Sequence, residues 1–200
     1  PLREGLVMSL MMFTGKRRNF LEETPAHCRQ LKLPHPILTN EDLQRLRTVN
    51  RKDFKVSTIT ALFDAHDPDP GTALERGLDD LLDQAEEAIE NGASLLIISD
   101  RDMDENRAPI PSLLATSAVH HGLINRGLRA EAGLIVESGE PREVMHFCLL
   151  AGFGANIVNP YLALDALSEL QRQGELPMTM EPSQLVDNFI ASIKKGILKT

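Results

Sequence analysis

With 200 residues, 42% of them hydrophobic and 25% charged, the chain has the makeup of one globular domain around one core. A formal net charge of −8, with a single Tyr and no Trp, repels phosphate backbones and offers little on which bases could stack, so no nucleic-acid partner is expected. The longest apolar runs, such as residues 93–99, are strand-sized and far short of the roughly 20 residues that span a bilayer, so no membrane partner is expected either.

The first 54 residues read as a mostly helical, irregular arm. Leu6, Val7, Leu10 and Met11 recur at helical spacing, but Thr14, Gly15 and Lys16 keep that helix short. Pro25, Pro34 and Pro36 remove amide donors and hold the backbone extended or turning. Thr39 followed by Asn40, Glu41 and Asp42 supplies a capping acceptor and then first-turn acids for a helix to Val49, with Leu43 and Leu46 inward.

From residue 55 to 200 the pattern becomes a body of βα repeats within the same domain. Residues 55–64 read as one strand through Val56, Ile59, Leu62 and Phe63. Thr72 and Glu75 have capping-box spacing before the stripe Leu74, Leu78, Leu81, Leu82, Ala85 and Ile89, and Asn91-Gly92 ends that helix. Residues 95–98 are apolar without alternation, as a strand covered on both faces would be. The unit repeats: helix 111–125, with Ala115, Ser117 and Ala118 for close approach and Gly127 at its end; strand 132–136; helix 141–151; strand 156–159. Asn159-Pro160 then reads as cap and first-turn proline for helix 162–173, and a last helix at 182–195 carries Leu185, Phe189 and Ile193. Consecutive βα units imply an α/β fold with a parallel sheet, either an open sheet or part of a (β/α)8 barrel.

Asp64, His66, Asp100, Asp102, Glu137, Ser138 and Asn159 all follow strands, the edge where parallel α/β folds build their sites. One reading is an independent small-molecule enzyme using Asp64, Asp100 and Glu137. The plainer one is that such residues cap helices and satisfy loop amides, with Asp100 or Asp102 paired to Arg101 or Arg107. Residues 100–106 imitate a calcium loop, but Glu105 replaces its Gly and Pro111 its bidentate Glu. His120 and His121 point about 100° apart on a helix and cannot chelate one ion together. His120 reads instead as a hydrogen-bonded, partly buried side chain. Exposed amides after Glu137-Ser138-Gly139 could hold an anion, but Glu140 and Glu143 already bring negative charge there. Cys148, beside Val144, Phe147 and Ala151, reads as buried, and Cys28 as an exposed thiol. Two cysteines do not argue for a disulfide.

The run Ser99-Asp-Arg-Asp, Ala108-Pro-Ile-Pro-Ser-Leu-Leu-Ala115, Ser117-Ala-Val-His-His121, Gly133-Leu-Ile-Val-Glu-Ser-Gly-Glu-Pro-Arg-Glu-Val144 and Asn159-Pro-Tyr-Leu-Ala-Leu-Asp165 closely resembles the central domain of glutamate synthase. Weaker likeness extends to residues 1–10 and 35–47. Gly122 and Met145 stand where that pattern has His, and Phe153 where it has Tyr. The resemblance implies a partial-barrel arrangement and a connecting role without an active site of its own. In the family a glutaminase domain with an N-terminal cysteine frees ammonia. An FMN domain, with an iron–sulfur cluster held by three cysteines, combines that ammonia with 2-oxoglutarate. This chain begins at Pro1 and has two cysteines 120 positions apart (148 − 28), so neither cofactor is expected in it. Both ends read as cuts within a longer chain. The implied partners are the glutaminase and FMN domains of the same polypeptide and a small reductase subunit or ferredoxin, in the cytoplasm or a plastid stroma. The resemblance also places Met11, Ile37 and Thr39 as ammonia-path or domain-interface candidates. A partner-binding regulatory module, docking through helical faces, is the remaining alternative.

Overall fold

Three consecutive apolar strands and one half-polar strand make the sheet. In the computed structural model, which describes residues 3–49, 51 and 54–200, the elements begin with α1 (Glu4–Val7), β1 (Met12–Thr14), a 3-10 turn at Pro25–Cys28, β2 (Leu31–Leu33) and α2 (Asn40–Arg47). The body follows: β3 (Val56–Thr60), β4 (Leu62–Asp64), α3 (Pro70–Glu90), β5 (Leu95–Ser99), β6 (Arg107–Pro109), α4 (Ser112–Asn125), β7 (Gly133–Glu137), α5 (Val144–Gly152), β8 (Ile157–Asn159), α6 (Tyr161–Arg172) and α7 (Pro182–Lys199). Strands β3, β5, β7 and β8 lie side by side in that order, all parallel, and the sheet stays open.

The two faces of this sheet are covered differently, and that sidedness positions everything else. Side chains alternate along a strand. Ile59, Leu96, Ile98, Leu134, Val136 and Val158 point to one face, where they meet Leu81 and Ala85 of α3, Val119 and Leu123 of α4, Phe147 and Leu150 of α5, and Ile190 and Ile193 of α7. Leu95, Ile97, Ile135 and Ile157 point to the other, where they meet Leu38, Leu43 and Leu46 with partly buried Met12, Leu31 and Leu33. All four of these helices share one side, as on the outside of a barrel segment, whereas a doubly wound sheet has helices on both faces. The face that would line a barrel's interior is filled by the chain's own N-terminal segment.

That segment is joined to the sheet through its backbone. Ile37 forms a parallel bridge with Val158. The Leu38 amide donates to the Val158 carbonyl at 3.0 Å, and the Val158 amide donates to the Pro36 carbonyl at 2.9 Å. Ile37 and Leu43 are 2% and 1% exposed, yet Leu6, Val7, Phe20 and Leu21 are 84% to 93% exposed. The arm therefore has an inserted half and an uncovered half.

Several local expectations are corrected. The strand expected at 55–64 divides at Ala61, whose amide bonds the Ser99 carbonyl; beyond it β4 turns away to pair antiparallel with β6. Helix α3 starts earlier than its sequence pattern suggests. Asp69 caps it, accepting from the Thr72 amide at 3.3 Å, so Thr72 lies inside the first turn and is no cap. Asn159 does not cap α6: its Oδ1 accepts no hydrogen bond, and its Nδ2 donates to Leu38 and Asn40. Cys148 is only half-buried and Ala151 is exposed, since the inward face of α5 is Phe147 and Leu150; Cys28 is exposed.

Elsewhere the sequence signals hold. Thr39 caps α2 by accepting from the Asp42 amide at 3.1 Å. Gly92 and Gly127 end their helices at positive φ, as the left-handed turn requires. Gly122, where the family pattern has His, faces Leu82 so closely that an added Cβ would fall 2.5 Å from a Leu82 methyl carbon. Met145 and Phe153 are 55% and 41% exposed, positions where packing sets little constraint.

The divided arm makes a direct prediction. Ile37→Ala should cost about 2–5 kcal/mol in urea unfolding, as a core truncation does. Leu21→Ala should stay within about 0.5 kcal/mol of the parent. Equal effects would mean that the arm behaves as one unit.

Candidate functional site

The carboxyl ends of the parallel strands place Thr60, Ser99, Glu137 and Asn159 in register with one another. They continue the parity of Ile97, Ile135 and Ile157, so they form the last layer of the face that the arm covers. In a barrel this layer borders the site. Here its centre is occupied by the chain itself.

Glu137 has a side chain with no exposed surface, yet it is ionically matched. Arg47, the last residue of α2, grips it with both ends of its fork: Nη2 donates to Oε2 at 2.6 Å and Nη1 to Oε1 at 3.2 Å. The Ser99 hydroxyl also donates to Oε2, and Arg101 Nη1 lies 3.7 Å from Oε1. A carboxylate in this surrounding has its lone pairs committed to donors, which unfits it as a general base. The helix carrying Arg47 is itself pinned at its start. Asn159 Nδ2 donates to the Leu38 carbonyl and to Asn40 Oδ1, both at 3.0 Å, and Asn40 Nδ2 donates to Asp165 Oδ1 at 2.8 Å.

Asp100, 4% exposed, sits one residue beyond β5 and braces the neighbouring loop. The Ser138 hydroxyl donates to it at 2.5 Å, the Gly139 amide lies 3.2 Å from both its oxygens, and the Tyr161 hydroxyl at the start of α6 lies near enough to influence its ionisation. Burial pushes the Asp100 carboxyl above its usual range, against the opposing pull of these donors. Burial and the nearby Asp100 raise the Tyr161 hydroxyl as well. Arg101 stacks on the Tyr161 ring, 4.6 Å from its centroid, which links this cluster to the Glu137 ion pair.

Asp64 is not part of this assembly. It is exposed on β4, accepts from the His66 amide at 2.8 Å, and borders an open cavity of about 650 Å³ with His66, Arg76, Asp80 and Arg107. The pairings expected among residues 100–107 differ too. Asp102 is exposed and offers only its carbonyl to Arg107, whose guanidinium pairs with Asp104, while Arg101 turns to Glu137 and Asp165. The three candidate acids are thus divided between a buried, hydrogen-bonded cluster and a separate surface.

The other candidates are dispersed. Met11 is 49% exposed. Ile37 borders a groove of about 410 Å³ with Leu31, Leu38 and Leu46. Thr39 borders another of about 290 Å³ with Asp165 and Val186, and Met11 lines neither.

Three contributors escaped the sequence reading. Arg47 reads as an ordinary cation at a helix C-terminus. Glu140 accepts from the Ser112 amide at 2.8 Å and from its hydroxyl at 2.5 Å, so a carboxylate already fills the amide-rich start of α4. At the opposite edge of the sheet Arg129 donates to the Ala132 and Gly154 carbonyls and, at 2.8 Å, to His120 Nδ1, which accounts for a half-buried histidine whose ionisation burial lowers.

Among the described residues no three His, Cys, Asp or Glu side chains converge as metal ligands do. The start of α4 is occupied by the Glu140 carboxylate.

With this geometry established, comparison with known proteins is decisive. The model of the glutamate synthase central domain matches residues 1–200. The chain belongs to that family. It is 42% identical over 198 residues to the glutamate synthase [NADPH] large chain of Bacillus subtilis, covering 99% of this chain and 12% of that protein. Over 203 residues it is 39% identical to the glutamate synthase [NADH] of Schizosaccharomyces pombe, covering all of this chain and 9% of the relative. Over 211 residues it is 39% identical to the chloroplastic ferredoxin-dependent glutamate synthase of Spinacia oleracea, covering all of this chain and 13% of the relative. The central domain thus spans about a tenth of the length of these relatives. Among the described residues, no helix is long and apolar enough to cross a membrane.

The Asp100 environment predicts a pH dependence. A carboxyl whose folded pKa lies above its ordinary value of 3.8 contributes stability that is fully present below that value. The contribution is lost as pH rises through the raised pKa. The stability of the parent relative to Asp100→Asn, followed by urea unfolding, should therefore fall from about pH 4 upward. A difference that rises with pH would mean that the hydrogen bonds outweigh burial.

Proposed function

We propose that this central domain joins and aligns a glutaminase domain and an FMN-bearing synthase domain of one polypeptide, so that ammonia passes between them during glutamate synthesis. The chemistry divides into two balanced halves. Glutamine and water give glutamate and ammonia; ammonia, 2-oxoglutarate, two electrons and two protons give glutamate and water. The electrons would come from a nicotinamide through a small reductase subunit, or from ferredoxin, as the names of the relatives suggest for those proteins. FMN and the iron–sulfur cluster would sit in the rest of the polypeptide, in the cytoplasm or a plastid stroma.

One observation carries this reading: the N-terminal segment is built into the sheet at Ile37 and Leu38 but leaves Leu6, Val7, Phe20 and Leu21 almost wholly exposed. Apolar surface of this kind marks an interaction face. A segment anchored to the sheet and apolar on its outer part suits a connector, and Glu137 at the carboxyl edge is already engaged by Arg47 and Ser99. Met11, on the same uncovered segment, belongs to this proposed interface; Ile37 and Thr39 belong to the part that anchors it.

Hydrogen exchange tests the role. Amides of residues 4–24 should exchange more slowly in the full-length enzyme than in the isolated 200-residue chain, with the β5 and β7 amides protected in both. Equal exchange of residues 4–24 in the two would place the domain interface on another surface.

A further inference from the structure

Glu137 and Arg47 are 90 positions apart, and between them they tie the filled face of the sheet together. Arg47 closes α2, whose other end is held to β8 by Asn159 and to α6 by Asn40 and Asp165. The chain running back from α2 leads through β2 and β1 to the exposed apolar segment, and these two short strands pair with each other. Their contact with the body is made through partly buried Met12, Leu31 and Leu33, through buried Thr14, and through the Arg17 amide on the Ala130 carbonyl at 2.7 Å and the Lys16–Glu131 ion pair just beyond it. How the uncovered segment leaves the body thus depends on α2, beside which Leu31 and Leu33 lie, together with these direct ties to the start of β7.

We infer that Arg47 and Glu137 are positioning residues for ammonia transfer: a buried latch that fixes the interface segment relative to the βα body and so keeps the flanking catalytic domains in register. The inference rests on the connecting role proposed above and names the contact that makes the connector rigid. The bidentate grip is what suits the pair to this work. Two parallel N–H···O bonds fix orientation as well as distance, and a lysine ammonium at the same place would act as a point charge without that constraint. Arg101, stacked on Tyr161 and 3.7 Å from Glu137, lies too far away to replace the lost fork.

The test uses the full-length enzyme in three forms: parent, Arg47→Lys, and Arg47→Met combined with Glu137→Leu, which removes both charges and retains apolar volume. Folding is verified by circular dichroism and thermal melting. Two quantities are then measured: 2-oxoglutarate consumed per glutamine hydrolysed, and synthesis driven by added ammonium. In the parent each glutamine hydrolysed should consume one 2-oxoglutarate. In both variants that ratio should fall at least about five-fold, the lower end of inter-site coupling, with the missing ammonia recovered in solution. Ammonium-driven synthesis should be unchanged. An unchanged ratio in either folded variant overturns the latch while leaving the connecting role intact. Parallel loss of ammonium-driven synthesis, or failure of both variants to fold, would assign the pair a structural role only and overturn the inference too. Free ammonia escaping equally from the parent would sink the connecting role, and the latch with it.

Discussion

A carboxylate with no exposed surface at the end of a strand must be neutralised from within the protein, because leaving a buried charge unpaired costs several kcal/mol. Glu137 meets this condition with a guanidinium delivered from the other end of the chain. That single requirement organises the rest. To bring Arg47 to the carboxyl edge, α2 must lie across the sheet; to lie there it must bury Leu43 and Leu46 against Ile97 and Ile135; and the chain before it must run beside β8 as Ile37 does. Charge pairing and hydrophobic burial thus select the same placement.

The consequence for function follows from which face is filled. A (β/α)-type sheet with its helices on one side offers its other face and carboxyl edge for chemistry. Here Leu38, Leu43 and Leu46 occupy the face, and Arg47 with Arg101 occupies the edge. Polar residues at strand ends therefore act as fasteners: Ser99 and Asn159 hold Glu137 and the arm, and Asp100 holds Ser138 and Gly139. A fold associated with catalysis has become a platform on which a segment is mounted, with the apolar end of that segment turned outward.

The βα body was legible because its signals are local. The unbroken apolar runs at 95–98 and 132–136, the stripe on α3 and the glycines at 92 and 127 each specify an element through their own neighbours. Thr39 was legible as the cap of α2 from the acids that follow it. What could not be read was long-range. Arg47 looks like any helix-terminal cation until Glu137 is brought to it, and Glu140 looks like a first-turn acid until its carboxylate meets Ser112 of a different helix. The division at Ala61 escaped for the same reason, since β4 and β6 pair only after the intervening 21-residue α3 has folded back. Asp69 won over Thr72 as a cap because Pro70 fits the first helical position, a local cue that the capping-box spacing overshadowed.

The claim that the arm is locked to the sheet by a buried ion pair is tested most directly by a double-mutant cycle on the isolated chain: Arg47→Met, Glu137→Leu and the two together, each measured by urea unfolding. Truncating either partner of such a pair should cost about 3–5 kcal/mol, and the double variant should cost much less than the sum, because no charge is left stranded. If the singles cost under about 1 kcal/mol each and add simply in the double, the pair is no stronger than a surface salt bridge and the arm is held by its apolar contacts and its backbone bonds to β8.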